Sequence, residues 1–243
     1  MKRRVLPWLM LMLALTVSPA PVVPPARAAA PPLPRGVRYV MLIRHGYYDR
    51  DSTLDDRVGN GLNALGREQA RRTGERLAAL PVKVATLVSS DYRRARETAE
   101  IIGHVLGIRP GVDSLLRECA PAGDNARSAE NEDCERQLGA AWAAAMRPAG
   151  AADLYDVLVC HGNMIRWWVC RSLGIDTRKW RAMDIGNGSL TVLAVRPDST
   201  MRLVTFSDVG HLAPGEQTWT GCGPGWGGTS SMAPGARADS SRR

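Results

Sequence analysis

Three apolar runs, GVRYVMLI at 36–43, VATLVSS at 84–90 and LYDVLVC at 154–160, each stop at polar or basic residues and each lead into a stretch of helical spacing. A buried strand needs an apolar run, and a return path along a sheet is usually a helix. The alternation therefore restricts the chain to a sheet with helices packed on it. The first run ends on Arg44, His45 and Gly46, the second is followed by Arg94, and the third by His161. Ligand sites in open α/β sheets assemble beyond the carboxyl ends of the strands, so two arginines and two histidines are predicted to converge there.

The remaining elements fit the same plan. NALGREQARRTGERLAAL has Asn63 as a plausible N-cap and Leu65, Thr73, Leu77 and Leu80 near one face; YRRARETAEIIGHVLG has Ala95, Ala99, Ile102 and Val105 at helical spacing. An alanine-rich helix is expected around Cys134 to Met146, and NMIRWWVCRSLG reads as another. SLTVLAVRP and MRLVTFSDV are β-rich runs around a PDST turn. The polar stretch from Leu115 to Asp133 reads as a small insert over the strand ends. The predicted fold is an α/β three-layer sandwich, a mixed and mostly parallel sheet flanked by helices, with that insert over the active site.

Residues 1–28 differ from the rest: Lys2, Arg3 and Arg4, then VLPWLMLMLALTV, then Ala26, Arg27 and Ala28. This is the pattern of a secretory signal peptide, with an uncleaved inner-membrane anchor as the alternative. A Pro/Ala linker at 29–36, a domain at 37–214 and a disordered Gly/Ser/Arg tail at 215–243 complete the expected organisation. The expected location is the periplasm or the exterior, or the inner membrane facing the periplasm if the segment is kept. Losing residues 1–28 removes Lys2, Arg3, Arg4 and Arg27 and lowers the formal charge from +8 to +4. An excess of that size suits an anionic substrate. No basic stripe interleaved with aromatics speaks for nucleic acid.

Five cysteines are too few for a disulfide scaffold. Cys160 and Cys170 lie in apolar runs and read as core thiols, whereas Cys119 and Cys134 flank a polar segment and could pair in an oxidising compartment.

Two arginines and two histidines at one point call for an anion. A phosphoryl group fits, because guanidinium forks bind its oxygens and its transfer is catalysed largely by positioning and charge neutralisation. An imidazole can also take the phosphoryl group covalently, and a carboxyl group can then protonate the leaving oxygen and later activate water. Glu118 in LLRECAP is the best-placed carboxyl, ahead of Asp113, Asp124 and Asp208.

The ordered motifs IRHG, SSDYRRARETA, LLRE and CHGNMIRWWVCRSLG resemble those of the histidine phosphatase (phosphoglycerate-mutase-like) superfamily. LRECAP, NGSLT at 187–191 and SDVGHLAP resemble in particular its branch of mitochondrial protein Ser/Thr phosphatases. The likeness spans roughly Val37 to Pro214. It implies His45 as the phosphorylated nucleophile, Arg44 and Arg94 as phosphate clamps, His161 as the second pocket histidine and Glu118 as the proton donor. It implies no metal and no cofactor, in keeping with four histidines and no HExxH. The chain departs from that branch at Gly46 and Gly162, where the branch carries serine and alanine. It departs from the mutases after the RHG, with YYDRDSTLDD in place of an Asn-bearing segment.

The expected substrate is a phosphoprotein or a small phosphomonoester such as a sugar phosphate. Phosphohistidine hydrolysis, mutase activity and a non-catalytic phosphate-binding scaffold are the rival readings. Tyr47 and Tyr48 either rim the entrance or cover the strand end; Trp167 and Trp168 read as core, and His104 and His211 as structural.

Overall fold

The computed structural model describes residues 35–55, 59–123 and 128–220. The expected signal or anchor at 1–28, most of the linker and the tail beyond 220 lie outside the described residues. Among the described residues no helix is long and apolar enough to cross a membrane.

The chain runs β1 (Arg38–Arg44), α1 (Ala64–Ala78), β2 (Thr86–Ser89), α2 (Arg93–Leu106), β3 (Gly111–Val112), α3 (Ala129–Ala145), β4 (Leu154–Cys160), α4 (Gly162–Ser172), β5 (Ile185–Gly186), β6 (Leu190–Val195), β7 (Met201–Asp208) and β8 (Trp219–Thr220). Six strands form one sheet in the order β3-β2-β4-β1-β6-β7, and β5 pairs with β8. The pairs β3-β2, β2-β4 and β4-β1 are parallel, whereas β1-β6 and β6-β7 are antiparallel, so the sheet is mixed and mostly parallel as expected.

Alternation along the buried strands creates the layers. Val40, Leu42, Leu158 and Cys160 pack with Leu138 and Trp142 of α3 and with Met164, Ile165 and Trp168 of α4. Met41, Ile43, Val157 and Val159 pack on the opposite face with Leu77 of α1 and with Ala95, Ala99 and Ile102 of α2. Each fully buried aliphatic side chain contributes about 1.5–3 kcal/mol, which makes the two faces the main source of stability. Cys160, Cys170, Trp167 and Trp168 are core residues, as read from the sequence.

Helix α1 starts where expected, with the Asn63 side chain accepting from Gly66 N–H. α3 begins earlier than expected, at Ala129, because Ser128 and Asn131 form a capping box. Its first turn is polar because it faces water, and an apolar pattern cannot reveal such a turn. Cys119 and Cys134 form a disulfide. Closing a loop of that length restricts the unfolded chain by an amount worth about 3 kcal/mol.

The predicted tail also starts too early. Pro214–Glu216 forms a 3-10 turn, and β8 follows it and pairs with β5. The tether is polar: Gln69, buried on α1, donates to Glu216 O at 2.7 Å and to Thr218 Oγ1 at 3.0 Å.

Candidate active site

Register brings the site together. β1 and β4 run in parallel with Arg44 opposite Cys160, and β2 runs beside β4 with Ser89 opposite Val159. One residue further along these strands come His45, His161 and Ser90. His45 N–H donates to Cys160 O at 3.0 Å and Ser90 N–H to Val159 O at 2.9 Å, so the alignment continues past the strand ends.

His45 is 3 % exposed and its ring is oriented from both sides. Nδ1 lies 2.8 Å from Gly46 O, which can only accept, so Nδ1 carries the hydrogen. Nε2 therefore holds the lone pair, and Arg94 Nε donates to it at 3.3 Å. The His161 ring lies edge-on to His45 with centroids 5.1 Å apart, and its Nε2 is 2.9 Å from Ser90 Oγ. Its Nδ1 is buried without a hydrogen-bond partner.

Arg44 is anchored by Nη1 donating to Ile185 O at 2.6 Å. Arg94 lies in the first turn of α2, with its guanidinium 4.9 Å from the Tyr48 ring centroid and 5.0 Å from that of Tyr92. Tyr92 and His161 are the N-caps of α2 and α4, and neither makes a side-chain cap bond. Both helices therefore point the positive ends of their dipoles at the site, and the Asn163 N–H in the first turn of α4 meets the Glu118 carboxyl.

Glu118 follows the 3-10 turn Ser114–Leu116. The residue is half-buried as a whole, but its Oε1 is buried without a hydrogen-bond partner. Its carboxyl feels Arg94, Arg44 and Arg166. Burial raises its pKa, and the three arginines together with the Asn163 backbone N–H pull the other way. Burial, Arg94, His161 and Arg44 hold the His45 pKa well below its usual value; burial, Arg94 and Arg44 do the same for His161. Burial also lowers Arg44, to about 10.

The five predicted residues are thus gathered at one end of the sheet. The weaker carboxylates are not part of this group. Asp113 accepts from Leu115 N–H, Asp208 pairs with Arg76, and Asp124 lies outside the described residues. Tyr47 is buried over the strand end, while Tyr48 stands against His45 and Arg94. His104 is exposed, and His211 Nε2 lies 3.1 Å from Thr73 Oγ1. Among the described residues no group of three or more His, Cys, Asp or Glu side chains could hold a metal ion.

Other residues completing the site carried weaker signals. Asn187 Nδ2 donates to His45 O at 3.0 Å, and its Oδ1 accepts from Thr218 Oγ1. Gln69 Oε1 accepts from Tyr47 N–H at 2.8 Å. Arg166 donates to Gly162 O, Met183 O and Asn163 Oδ1. Asn163, Arg166 and Asn187 stand inside recognisable motifs, whereas Gln69 is marked only by being polar on a buried helix face. Gly46 has a steric role: a Cβ there would meet Gly66 O at 2.4 Å, so α1 packs backbone to backbone on the turn that carries His45.

The profile of the histidine phosphatase superfamily (branch 1) matches residues 40–158 and 132–208. The chain belongs to the histidine phosphatase superfamily. Similar members include the mitochondrial serine/threonine-protein phosphatase PGAM5 of Xenopus tropicalis, 37 % identical over 197 residues that cover 74 % of this chain and 68 % of that one. The PGAM5 of Homo sapiens is 35 % identical, over 76 % of this chain and 67 % of its own. Among solved structures of the superfamily fold, a mycobacterial glucosyl-3-phosphoglycerate phosphatase aligns with TM-score 0.54 and 27 % identity over 70 % of this chain and 99 % of that one. A phosphoglycerate mutase from Plasmodium falciparum aligns with TM-score 0.54 and 26 % identity over 73 % of this chain and 95 % of its own. Superfamily membership and phosphatase-named relatives together support a phosphatase.

The depressed histidines make stability depend on pH. Below about pH 6.5 histidine in the unfolded chain takes up protons, while buried His45 and His161 stay neutral. The unfolded state then binds more protons, so stability falls with pH by up to about 1.4 kcal/mol per unit for each histidine. Glu118, with its raised pKa, acts in the opposite sense and loses its contribution as pH rises from about 4.5. With His211, whose pKa burial also lowers, three histidines act against one carboxyl. The urea midpoint is expected to be lower at about pH 5.5 than at about pH 7.5; an equal or higher midpoint would contradict this charge assignment.

Proposed function

We propose that this chain hydrolyses phosphomonoesters through a phosphohistidine at His45 Nε2. The observation carrying the reading is the orientation of that nitrogen, unprotonated because Nδ1–H is tied to Gly46 O, with Arg94 Nε at 3.3 Å. Arg44, Arg94 and His161 hold the phosphoryl oxygens, helped by the N-termini of α2 and α4. The Nε2 lone pair attacks phosphorus, the P–O bond to the leaving group breaks, and protonated Glu118 gives the departing oxygen its proton. Glu118, now a carboxylate, then takes a proton from water as the water oxygen attacks phosphorus. The P–N bond breaks, and His45 returns to its neutral form with inorganic phosphate released. A raised Glu118 pKa suits this double duty, because the acid needs its proton near neutral pH.

Three of the similar proteins guide the choice of substrate. The relatives named Ser/Thr-protein phosphatases favour a phosphoprotein. The solved glucosyl-3-phosphoglycerate phosphatase favours a small phosphate ester as the second reading. The reaction requires no metal in this scheme. An oxidising compartment fits a disulfide and the exported location suggested by residues 1–28.

The test is a substrate panel in EDTA with phosphoserine and phosphothreonine peptides, phosphohistidine, sugar phosphates and 3-phosphoglycerate. Release of phosphate, fastest from the peptides and unaffected by EDTA, is expected. Isomerisation of 3-phosphoglycerate without phosphate release, or loss of turnover in EDTA, would overturn the reading.

A further inference from the structure

The Glu118 carboxyl lies among Arg94, Arg44 and Arg166 and against the Asn163 backbone N–H, so its reach depends on the backbone that carries it. Its Oε1 makes no hydrogen bond, and residues 117–123 form neither helix nor strand, so the carboxyl goes where the backbone around it is fixed. That backbone is fixed on both sides of Glu118. Before it, Gln137 Nε2 of α3 donates to Leu115 O at 3.1 Å and to Arg117 O at 2.9 Å, and the Arg117 side chain grips Asp91. After it, Asn163 Nδ2 of α4 donates to Cys119 O at 2.9 Å, and Asn131 Nδ2 donates to Ala120 O at 2.8 Å. The residue next to Glu118 is Cys119, bonded to Cys134, which is 3 % exposed in the core on α3. This is the covalent member of the set, and it ties the carboxyl-bearing segment to a helix packed on the sheet.

We propose that the Cys119–Cys134 disulfide positions Glu118 for proton transfer, so that opening it slows cleavage of esters whose leaving group needs a proton. The inference rests on Glu118 being the proton carrier under the proposed function. A dithiol reductant supplies two electrons and two protons: the Cys119–Cys134 S–S bond breaks, two thiols form, and the reductant becomes a disulfide. The hydrogen bonds around Glu118 remain, so the effect is partial. Arg44, Arg94 and His161 are held by other elements, so phosphoryl capture is retained. Cys160 and Cys170 are buried free thiols with pKa raised by burial, so the disulfide is the group among the described residues that such a reductant changes.

The experiment compares phenyl phosphate with p-nitrophenyl phosphate, similar in shape but unequal in leaving-group quality. kcat/KM is measured on the full chain before and after dithiothreitol, with thiols counted by alkylation and mass spectrometry. The Cys119→Ala/Cys134→Ala variant is run beside it in case the bond resists reduction in the native state. kcat/KM for phenyl phosphate is expected to fall about tenfold, and for p-nitrophenyl phosphate less than about twofold, because a good leaving group needs little general-acid help. Reoxidation restores the wild type but not the variant. Glu118→Gln is measured in parallel and should show the same selectivity, deeper and insensitive to reductant. Two new thiols with no change in the ratio of the two esters, while Glu118→Gln changes it, would overturn the tether and leave the proton carrier standing. Equal losses on both esters would reduce the disulfide to a purely structural role and overturn it too. An unchanged ratio in Glu118→Gln would overturn the proton-carrier reading and this inference with it.

Discussion

Replacing His45 by alanine is expected to lower kcat for p-nitrophenyl phosphate by at least about 10⁴-fold, because a covalent route disappears when its nucleophile does. The expectation rests on the ring's surroundings rather than on its mere presence in the pocket. Nδ1 is committed to Gly46 O, and burial first, then Arg94, His161 and Arg44, keep the imidazole neutral. A neutral imidazole fixed in this way has one in-plane lone pair, on Nε2, which accepts from Arg94 Nε and under the proposed function is given up to phosphorus. Steady-state kinetics on the folded variant check this, with circular dichroism confirming the fold. Turnover within about tenfold of wild type would require another nucleophile.

Arg94→Ala should cost about 10³-fold in kcat/KM, about 4 kcal/mol of transition-state stabilisation. The guanidinium is held between Tyr48 and Tyr92 and contacts His45 Nε2, so it is positioned before substrate arrives. Arg94→Lys should recover only a small part, since an ammonium lacks both the planar fork and the Nε–H. Arg94 is also the largest charge effect holding the His45 pKa down. Its removal should therefore move the acid limb of the kcat/KM profile to higher pH. Kinetics across the acid range measure both effects; a loss below about tenfold with an unmoved limb would remove Arg94 from the site.

The gathering of His45, Arg94 and His161 was legible in the sequence for a physical reason. Each follows a run apolar enough to be a buried strand, and parallel strands in register deliver whatever follows them to the same edge. The Cys119–Cys134 pair was only one pairing among several, since spacing does not encode proximity. Less visible still were groups that meet across long stretches of chain. Asn187 reaches His45 O from 142 residues away, and Gln69 meets Thr218 from 149. The tail was expected from 215, yet the Gln69, Asn187 and Thr218 network carries the fold to β8, using polar groups that hydrophobic periodicity does not register. Glu118 was readable as a candidate by residue type and position, but its burial among Arg94, Arg44 and Arg166 follows from packing of the insert on α3 and α4.

Trapping a covalent intermediate is the direct test of His45 as the nucleophile. Wild type is mixed with excess p-nitrophenyl phosphate, quenched in alkali, where phosphohistidine survives, and digested for peptide mass spectrometry. One phosphoryl group is expected on His45, lost on acid treatment and absent from His45→Ala. A phosphoryl group on a serine, threonine or aspartate, or full turnover with none on His45, would rule out His45 as the nucleophile.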